Sequence, residues 1–320
     1  MTPARTSAGS TTGVVEGVVV VVGQVGRDLA LAVDELPGAG GSTDVRERRE
    51  VLGGKGANQA VAVAQLGMSA AVVGVVGDDA AGEDVLAQAR RDGLDVRAVV
   101  RREGASTALL VDVVAGGERR LLEDVSPEVL LTAADVEAAS GLLRRAAAVL
   151  VQLQQPAEAV AAALRIAREA GRFVVVDGAA QDAGLREQVL STAIVLRADA
   201  REAELLLGRQ LDGPDDVLAA AHELVGRGPR LVVLEAGSAG NAAAWEGGGE
   251  LVPLTDVDVA DSTGGGDSFT AALAVALLRG EEVERAVRWA TAAAGSTVQR
   301  FGGRPALSTD ELDEQADRLG

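Results

Sequence analysis

The chain has 320 residues, 48% of them hydrophobic but only 2% aromatic, with a formal net charge of −18, a single histidine and no cysteine. The acidic balance repels phosphate backbones and anionic lipid, which excludes nucleic acid and membrane surfaces as partners. The missing cysteines exclude disulfides, a thiolate nucleophile and a Cys-ligated metal, and His222, inside a helical pattern over 215–225, is read as a surface or packing residue.

Residues 1–16 are rich in Ser, Thr and Gly and are expected to form a disordered tail. No secretory signal is recognised, and the apolar run 17–22 is too short to span a membrane, so a cytoplasmic protein is expected. The β-branched run 18–22 is a first core strand, and Asp28 stands shortly beyond its end, a position open to a turn residue or to a sugar or metal ligand. Short strands are expected at 29–33 and 46–52 around a Pro37-Gly38 turn. Gly53-Gly-Lys-Gly-Ala-Asn-Gln-Ala60 then leads into an amphipathic helix over 57–66. Its spacing fits neither a P-loop nor a dinucleotide fingerprint. Asn58 falls in the first turn, within reach of a polyol, and Lys55 is the obvious charge, or else a solvated lysine.

A strand at 70–76 and a helix ending at Arg91 follow. The extended pieces 96–101, 108–114 and 119–123, the last two joined at Gly116-Gly117, are read together with 29–52 as a small sheet standing off the main body. A helix is expected over 134–146. The second half alternates more regularly, with strands at 148–153, 172–177, 192–196 and 231–234 and helices at 157–170, 201–207 and 215–227. That is the rhythm of a parallel sheet covered by helices. Segments 241–245 and 250–253 are expected to pair across a Gly-rich turn, and helices are expected at 271–279, 281–298 and 308–317. There is no internal repeat and no interdomain linker.

The richest stretch is Val259-Ala-Asp-Ser-Thr-Gly-Gly-Gly-Asp-Ser-Phe-Thr270. Gly264, Gly265 and Gly266 precede an apolar helical pattern, with Asp261 and Asp267 on either side. Glycines there permit close approach to a ligand, and a helix start offers free N–H groups and the positive end of a dipole. A carboxylate at such a place is either a cap or a general base facing a hydroxyl.

With its two Gly-rich stretches and the segment Gly74-Val-Val-Gly-Asp-Asp-Ala-Ala-Gly82, the sequence resembles the ribokinase-like (PfkB-type) carbohydrate kinases over about residues 17–318. GGKGANQA at 53–60 resembles the family's N-terminal signature and DSTGGGDSF at 261–269 its C-terminal one. The resemblance implies an α/β fold: a three-layer sandwich with a mostly parallel central sheet and a small β-sheet lid. It implies one domain over 17–320, a lid formed from about 29–52 and 106–124, and a homodimer through that lid. The implied activity is transfer of the γ-phosphoryl of Mg-ATP to a sugar hydroxyl, ribose to ribose 5-phosphate first. The alternatives are a ketohexose, a 2-keto-3-deoxy acid or a nucleoside as acceptor, or a non-catalytic sugar- or nucleotide-binding sensor.

By position, Asp267 matches the catalytic base and Gly264, Gly265 and Gly266 the anion hole. Asp28, Gly54, Lys55 and Asn58 match the sugar site, as does Gln154, where ribokinases usually have Glu. Asp199 and Glu202 match the pair that organises Mg²⁺ through water. Glu235, Gly237, Ser238, Gly240, Gly266 and Thr291 fall, with Asp199, on the nucleotide side. Asp261, Thr263, Val298, Gly302 and Gly303 match a monovalent-cation site that in relatives favours K⁺. The departures are Gly26 for Asn, Gln154 for Glu, Asp199 for Asn, Glu235 for Thr, Thr291 for Asn, and Asp177-Gly-Ala-Ala180 for Asn-Pro-Ala-Pro. A sugar-phosphate acceptor requires added cations, for which Lys55, Arg27, Arg119 and Arg120 are the candidates; such charges are ordinarily solvated lid residues.

Overall fold

The computed structural model describes residues 17–116 and 118–320. The tail expected over 1–16, and Gly117 of the expected hairpin, lie outside the described residues. Five successive valines form strand β1 (Val18–Val22), with Val19 and Val21 in one apolar core and Val20 and Val22 in the other. A strand covered on both faces needs such an unbroken run. Next come β2 (Gly26–Val33), β3 (Val45–Gly53), α1 (Lys55–Gln65), β4 (Ser69–Gly77), α2 (Ala80–Arg91), β5 (Asp95–Arg102), β6 (Leu109–Ala115) and β7 (Glu118–Asp124). Two short helices, α3 (Ala133–Ala138) and α4 (Ser140–Leu143), precede β8 (Ala148–Gln152), α5 (Ala157–Glu169), β9 (Phe173–Asp177), α6 (Ala183–Thr192), β10 (Val195–Ala198), α7 (Ala200–Leu207) and α8 (Gly213–Val225). The chain closes with β11 (Leu231–Glu235), β12 (Asn241–Trp245), β13 (Gly248–Val252), α9 (Gly265–Leu278), α10 (Val283–Val298) and α11 (Thr309–Arg318).

Among the described residues the strands form two sheets. The central one has nine strands in the order β13-β12-β11-β10-β9-β8-β1-β4-β5, parallel except where β12 and β13 turn back. Helices α1, α2, α9, α10 and α11 cover one face and α3, α5, α6 and α8 the other. This is the expected three-layer α/β sandwich. The second sheet, β3-β2-β6-β7, is the lid. From the adjacent pair β1 and β8 the strand order runs outward in opposite directions, so the chain opens a crevice beyond their carboxyl ends, where ligands of open α/β sheets bind.

Four expectations need correction. The segment 96–101 belongs to β5, which pairs in parallel with β4 at the edge of the central sheet and takes no part in the lid. The helix expected over 134–146 breaks at Ala139, where α3 ends and α4 begins, and residues 144–146 are not helical. Thr192 ends helix α6, so the strand expected at 192–196 starts only at Val195. Helix α9 begins at Gly265, six residues before its apolar pattern becomes evident, so two of the three glycines lie within its first turn.

Candidate active site

The crevice is a cleft of about 480 Å³ between the sheet and the lid. Its floor comes from residues at or just past the carboxyl ends of five parallel strands: Gln24 after β1, Gln154 after β8, Asp177 at the end of β9, Arg197 and Asp199 at β10, and Glu235 closing β11. Helix α1 presents Lys55 and Asn58, helix α9 presents Gly266 and Asp267, and the lid contributes Asp28, Asp112 and Arg119. The two Gly-rich stretches, about 200 residues apart in sequence, thus meet as two helix N-termini facing one space.

Asp267 is not a cap. The N-cap of α9 is Gly264, whose φ of 73° is left-handed and carries no capping side chain. Asp267 lies in the first turn, 6% exposed. The Asn58 amide donates to its Oδ2 at 3.4 Å and the Gln59 amide to its Oδ1 at 3.3 Å. Burial, only partly offset by the Lys55 ammonium, pushes its carboxyl up to about 7. A carboxylate poised there accepts a proton readily near neutral pH.

The same Gln59 amide donates to Asp177 Oδ2 at 2.9 Å, and Arg197 Nη1 donates to Asp177 Oδ1 at 3.2 Å. Arg197 Nη2 stands 3.6 Å from Glu235 Oε2. Burial disfavours the Lys55 ammonium, but Asp177, Asp267 and Glu202 outweigh it and raise its pKa. Lys55 Nζ lies 3.9 Å from Glu202 Oε1.

Asp28 explains the glycine beside it. A Cβ on Gly53 would fall 1.9 Å from the Asp28 carboxyl carbon, and the Gly54 N–H donates to Asp28 Oδ1 at 3.2 Å. Burial pushes this carboxyl up to about 6, against the Gly54 and Asn58 hydrogen bonds. Gly26 has no room for the Asn usual at this position in the kinases the sequence resembles: a Cβ there would meet the Ala108 carbonyl oxygen at 2.8 Å. Gln154 is reached by Gln152 Nε2 at 3.0 Å, and Gln152 Oε1 accepts from the Gln24 N–H at 3.0 Å.

Of the three glycines expected to form an anion hole, Gly264 and Gly266 line the cleft, while Gly265 is turned toward Val298 of α10. Asp199 and Glu202 form a reciprocal cap at the start of α7, each accepting the other's backbone N–H at 2.8 and 2.9 Å. Gly237 and Ser238 lie exposed in the turn just beyond Glu235. Gly240 is buried, and a Cβ there would fall 2.0 Å from the Val252 carbonyl oxygen, so packing alone accounts for that glycine. Thr291 is not brought to the cleft: it is 1% exposed, donating to the Val287 carbonyl and accepting from Asn241.

Asp261, Thr263, Val298, Gly302 and Gly303 do converge. Asp261 accepts from the Thr263 N–H and hydroxyl and from the Gly302 N–H, and the Val298 carbonyl accepts from the N–H groups of Ala260 and Asp261. Of the four candidate cations, Lys55 and Arg119 reach the cleft. Arg27 pairs with Glu50, outside the cleft, and Arg120 with Glu118. Arg119 makes a two-point contact with Asp112, 2.5 and 2.9 Å.

Gln59, Asp112 and Arg197 were not singled out from the sequence. Gln59 sits inside the first signature, one residue after Asn58. Arg197 had one visible signal, a charge within the otherwise apolar strand β10.

The family model described as pfkB family carbohydrate kinase matches residues 17–310. The ATP-dependent ribose-1-phosphate kinase of Halopiger xanaduensis is 35% identical over 309 residues, 92% of this chain and 96% of that protein. Ribokinase of Bacillus subtilis is 30% identical over 305 residues, 92% of this chain and 98% of that one. Among solved structures, Arabidopsis thaliana ribokinase complexed with ribose and ATP superposes with a TM-score of 0.77 at 25% identity, covering 94% of this chain and 99% of the other.

Proposed function

The chain belongs to the pfkB family of carbohydrate kinases and is an ATP-dependent sugar kinase, and from that premise we propose that it phosphorylates the primary hydroxyl of a ribose unit, with Asp267 as general base. The observation that carries this reading is the buried Asp267 carboxyl, raised to about 7 at the N-terminus of α9, with Asp28 and Asn58 lining the same cleft. Asp267 takes the proton of the attacking hydroxyl, while the N–H groups after Gly264 and the adjacent helix dipole stabilise charge on the phosphoryl in transit. Asp28 and Asn58 hold the remaining hydroxyls, and Gln154 contributes a neutral hydrogen-bonding group where a carboxylate is usual.

The donor set fits Mg²⁺. Asp199 and Glu202 each keep one carboxylate oxygen outside their reciprocal cap, that of Glu202 3.9 Å from the Lys55 ammonium. Mg²⁺ retains several waters, so two such oxygens suffice, and when bound it neutralises charge on the nucleotide phosphates. The cation loop also fits a monovalent ion. Asp261 is 3% exposed, takes three hydrogen-bond donors, and has no Lys or Arg within salt-bridge distance among the described residues. We propose K⁺ as its counter-charge. Exchanging K⁺ for Na⁺ at constant ionic strength is expected to lower the turnover rate, and equal rates would count against the site.

A second reading is favoured by Arg119. The Asp112 carboxylate orients this guanidinium on the lid, and its Nη1 makes no hydrogen bond among the described residues. A cation at the sugar end suits an acceptor that already bears a phosphate, ribose 1-phosphate being the example among the relatives. Both acceptors present the same primary hydroxyl. Measuring kcat/KM for ribose and ribose 1-phosphate with Mg-ATP separates them: preference for ribose supports the first reading, a tenfold or larger preference for the phosphate supports the second, and turnover of neither contradicts both.

A further inference from the structure

We propose that Arg197 is a catalytic residue whose guanidinium contacts the phosphoryl group in transit at the N-terminus of α9. The inference rests on the sugar-kinase reading of the site and assigns a charge the glycine loop does not supply. In β10, Val195 joins one core while Leu196 and Ala198 join the other, so alternation points Arg197 toward the α9 side. Its guanidinium lies directly over Gly266: a Cβ there would be 2.9 Å from Nη1 and 3.0 Å from Nη2. It lines the cleft with Gly264, Gly266 and Asp267, and its side chain is only 11% exposed.

The sign of the charge is the argument. A helix N-terminus favours anions, and a buried cation held against it raises the positive potential at that point further, which suits an arriving anion. This chain brings two cations to that point, Lys55 and Arg197. Their charge is balanced at rest by Asp177, Glu202 and Glu235. Structural pairing of Arg197 with Asp177 is a poor reason to retain either, because an apolar pair of similar volume is generally no less stable. A phosphoryl group bearing charge on three oxygens gives the planar guanidinium a partner its geometry matches. In the step, the sugar oxygen bonds to the γ-phosphorus and its proton goes to Asp267. The bond to the β,γ-bridging oxygen breaks, its electron pair leaves with ADP, and Arg197 keeps its protons throughout.

The test compares the wild type with Arg197→Met, Arg197→Lys and the double variant Arg197→Met/Asp177→Asn, which removes both members of the buried pair. The readouts are steady-state kinetics and calorimetric binding of ADP and of ADP–aluminium fluoride with Mg²⁺ and sugar. Arg197→Met is expected to lower kcat by about 10²–10³ while sugar KM stays within a few-fold. ADP–aluminium fluoride affinity is expected to fall by a similar factor and ADP affinity by far less. Arg197→Lys should recover part of kcat, and the double variant should remain as slow as Arg197→Met. Recovery of wild-type kcat in the double variant would reduce Arg197 to a neutraliser of Asp177 and overturn the proposal, as would equal losses of ADP and ADP–aluminium fluoride affinity. If no sugar is turned over even by the wild type, the acceptor reading fails, yet the binding arm still decides the question. A wild type that binds ADP–aluminium fluoride no better than ADP also overturns it.

Discussion

Replacing Asp267 by Asn is expected to lower kcat by about 10²–10⁴, the scale of general-base loss, and to leave sugar binding within a few-fold of wild type. Asn keeps the shape and an acceptor for the Asn58 or Gln59 amide, so what disappears is the ability to take a proton. The wild-type kcat/KM for sugar is expected to rise with pH through about 7, where the Asp267 carboxyl ionises, and the variant should lack that limb. Stability carries the same signature. The folded-state pKa of about 7 lies above the ordinary value of 3.8, so burial favours the protonated form. The stabilising contribution is complete below about pH 4 and is lost as pH rises through 7. Measured by thermal melts, the stability of Asp267→Asn relative to wild type should therefore increase from pH 4 to pH 8, by an amount on the order of a few kcal/mol. A pH-independent difference, or near-normal turnover, would reject the assignment of the base.

The second large effect is expected at Gly264. Its backbone is left-handed, φ 73°, and a Cβ would fall 1.8 Å from the Gly303 carbonyl oxygen. Gly264→Ala must move one loop off the other, and the loop it moves carries the N–H groups proposed as the anion hole. We expect a loss of at least about 10² in kcat together with destabilisation of about 3 kcal/mol or more. Gly171→Ala is the control: its φ is also positive, 63°, but nothing lies within 4 Å of the added carbon. It should cost about 1–2 kcal/mol and little activity. If Gly264→Ala retains wild-type kcat, the glycine serves packing and the anion hole lies elsewhere.

Much of this molecule was legible in its sequence because several of its constraints are local. Continuous valine runs mark strands buried on both faces, and glycines that precede a helix mark a close approach, as Gly53 does against Asp28 and Gly264 against Gly303. What remained hidden is set by contacts across long separations. The charge on Arg197 takes on meaning only where β10 meets the first turn of α9, and Gln59 only where α1 faces both Asp177 and Asp267. Likewise, Asp112 reads as a mid-strand acid until the lid brings it to Arg119 and, at 3.2 Å, to the Thr263 hydroxyl. The pattern of 96–101 suits an edge strand of either sheet, and only its pairing with β4 decides which. Thr291 is the reverse case, a position carried over by resemblance whose hydroxyl is already committed to Val287 and Asn241.

The most direct measurement is phosphorus NMR of the wild-type protein with Mg-ATP and a panel of ribose, ribose 1-phosphate, other pentoses, hexoses and nucleosides. The account predicts, for a ribose-type acceptor, one new phosphoester on the primary hydroxyl for each ADP formed, and its loss in Asp267→Asn. Saturable sugar or nucleotide binding with no acceptor-dependent ADP across the whole panel would contradict it and leave a binding protein with a kinase fold.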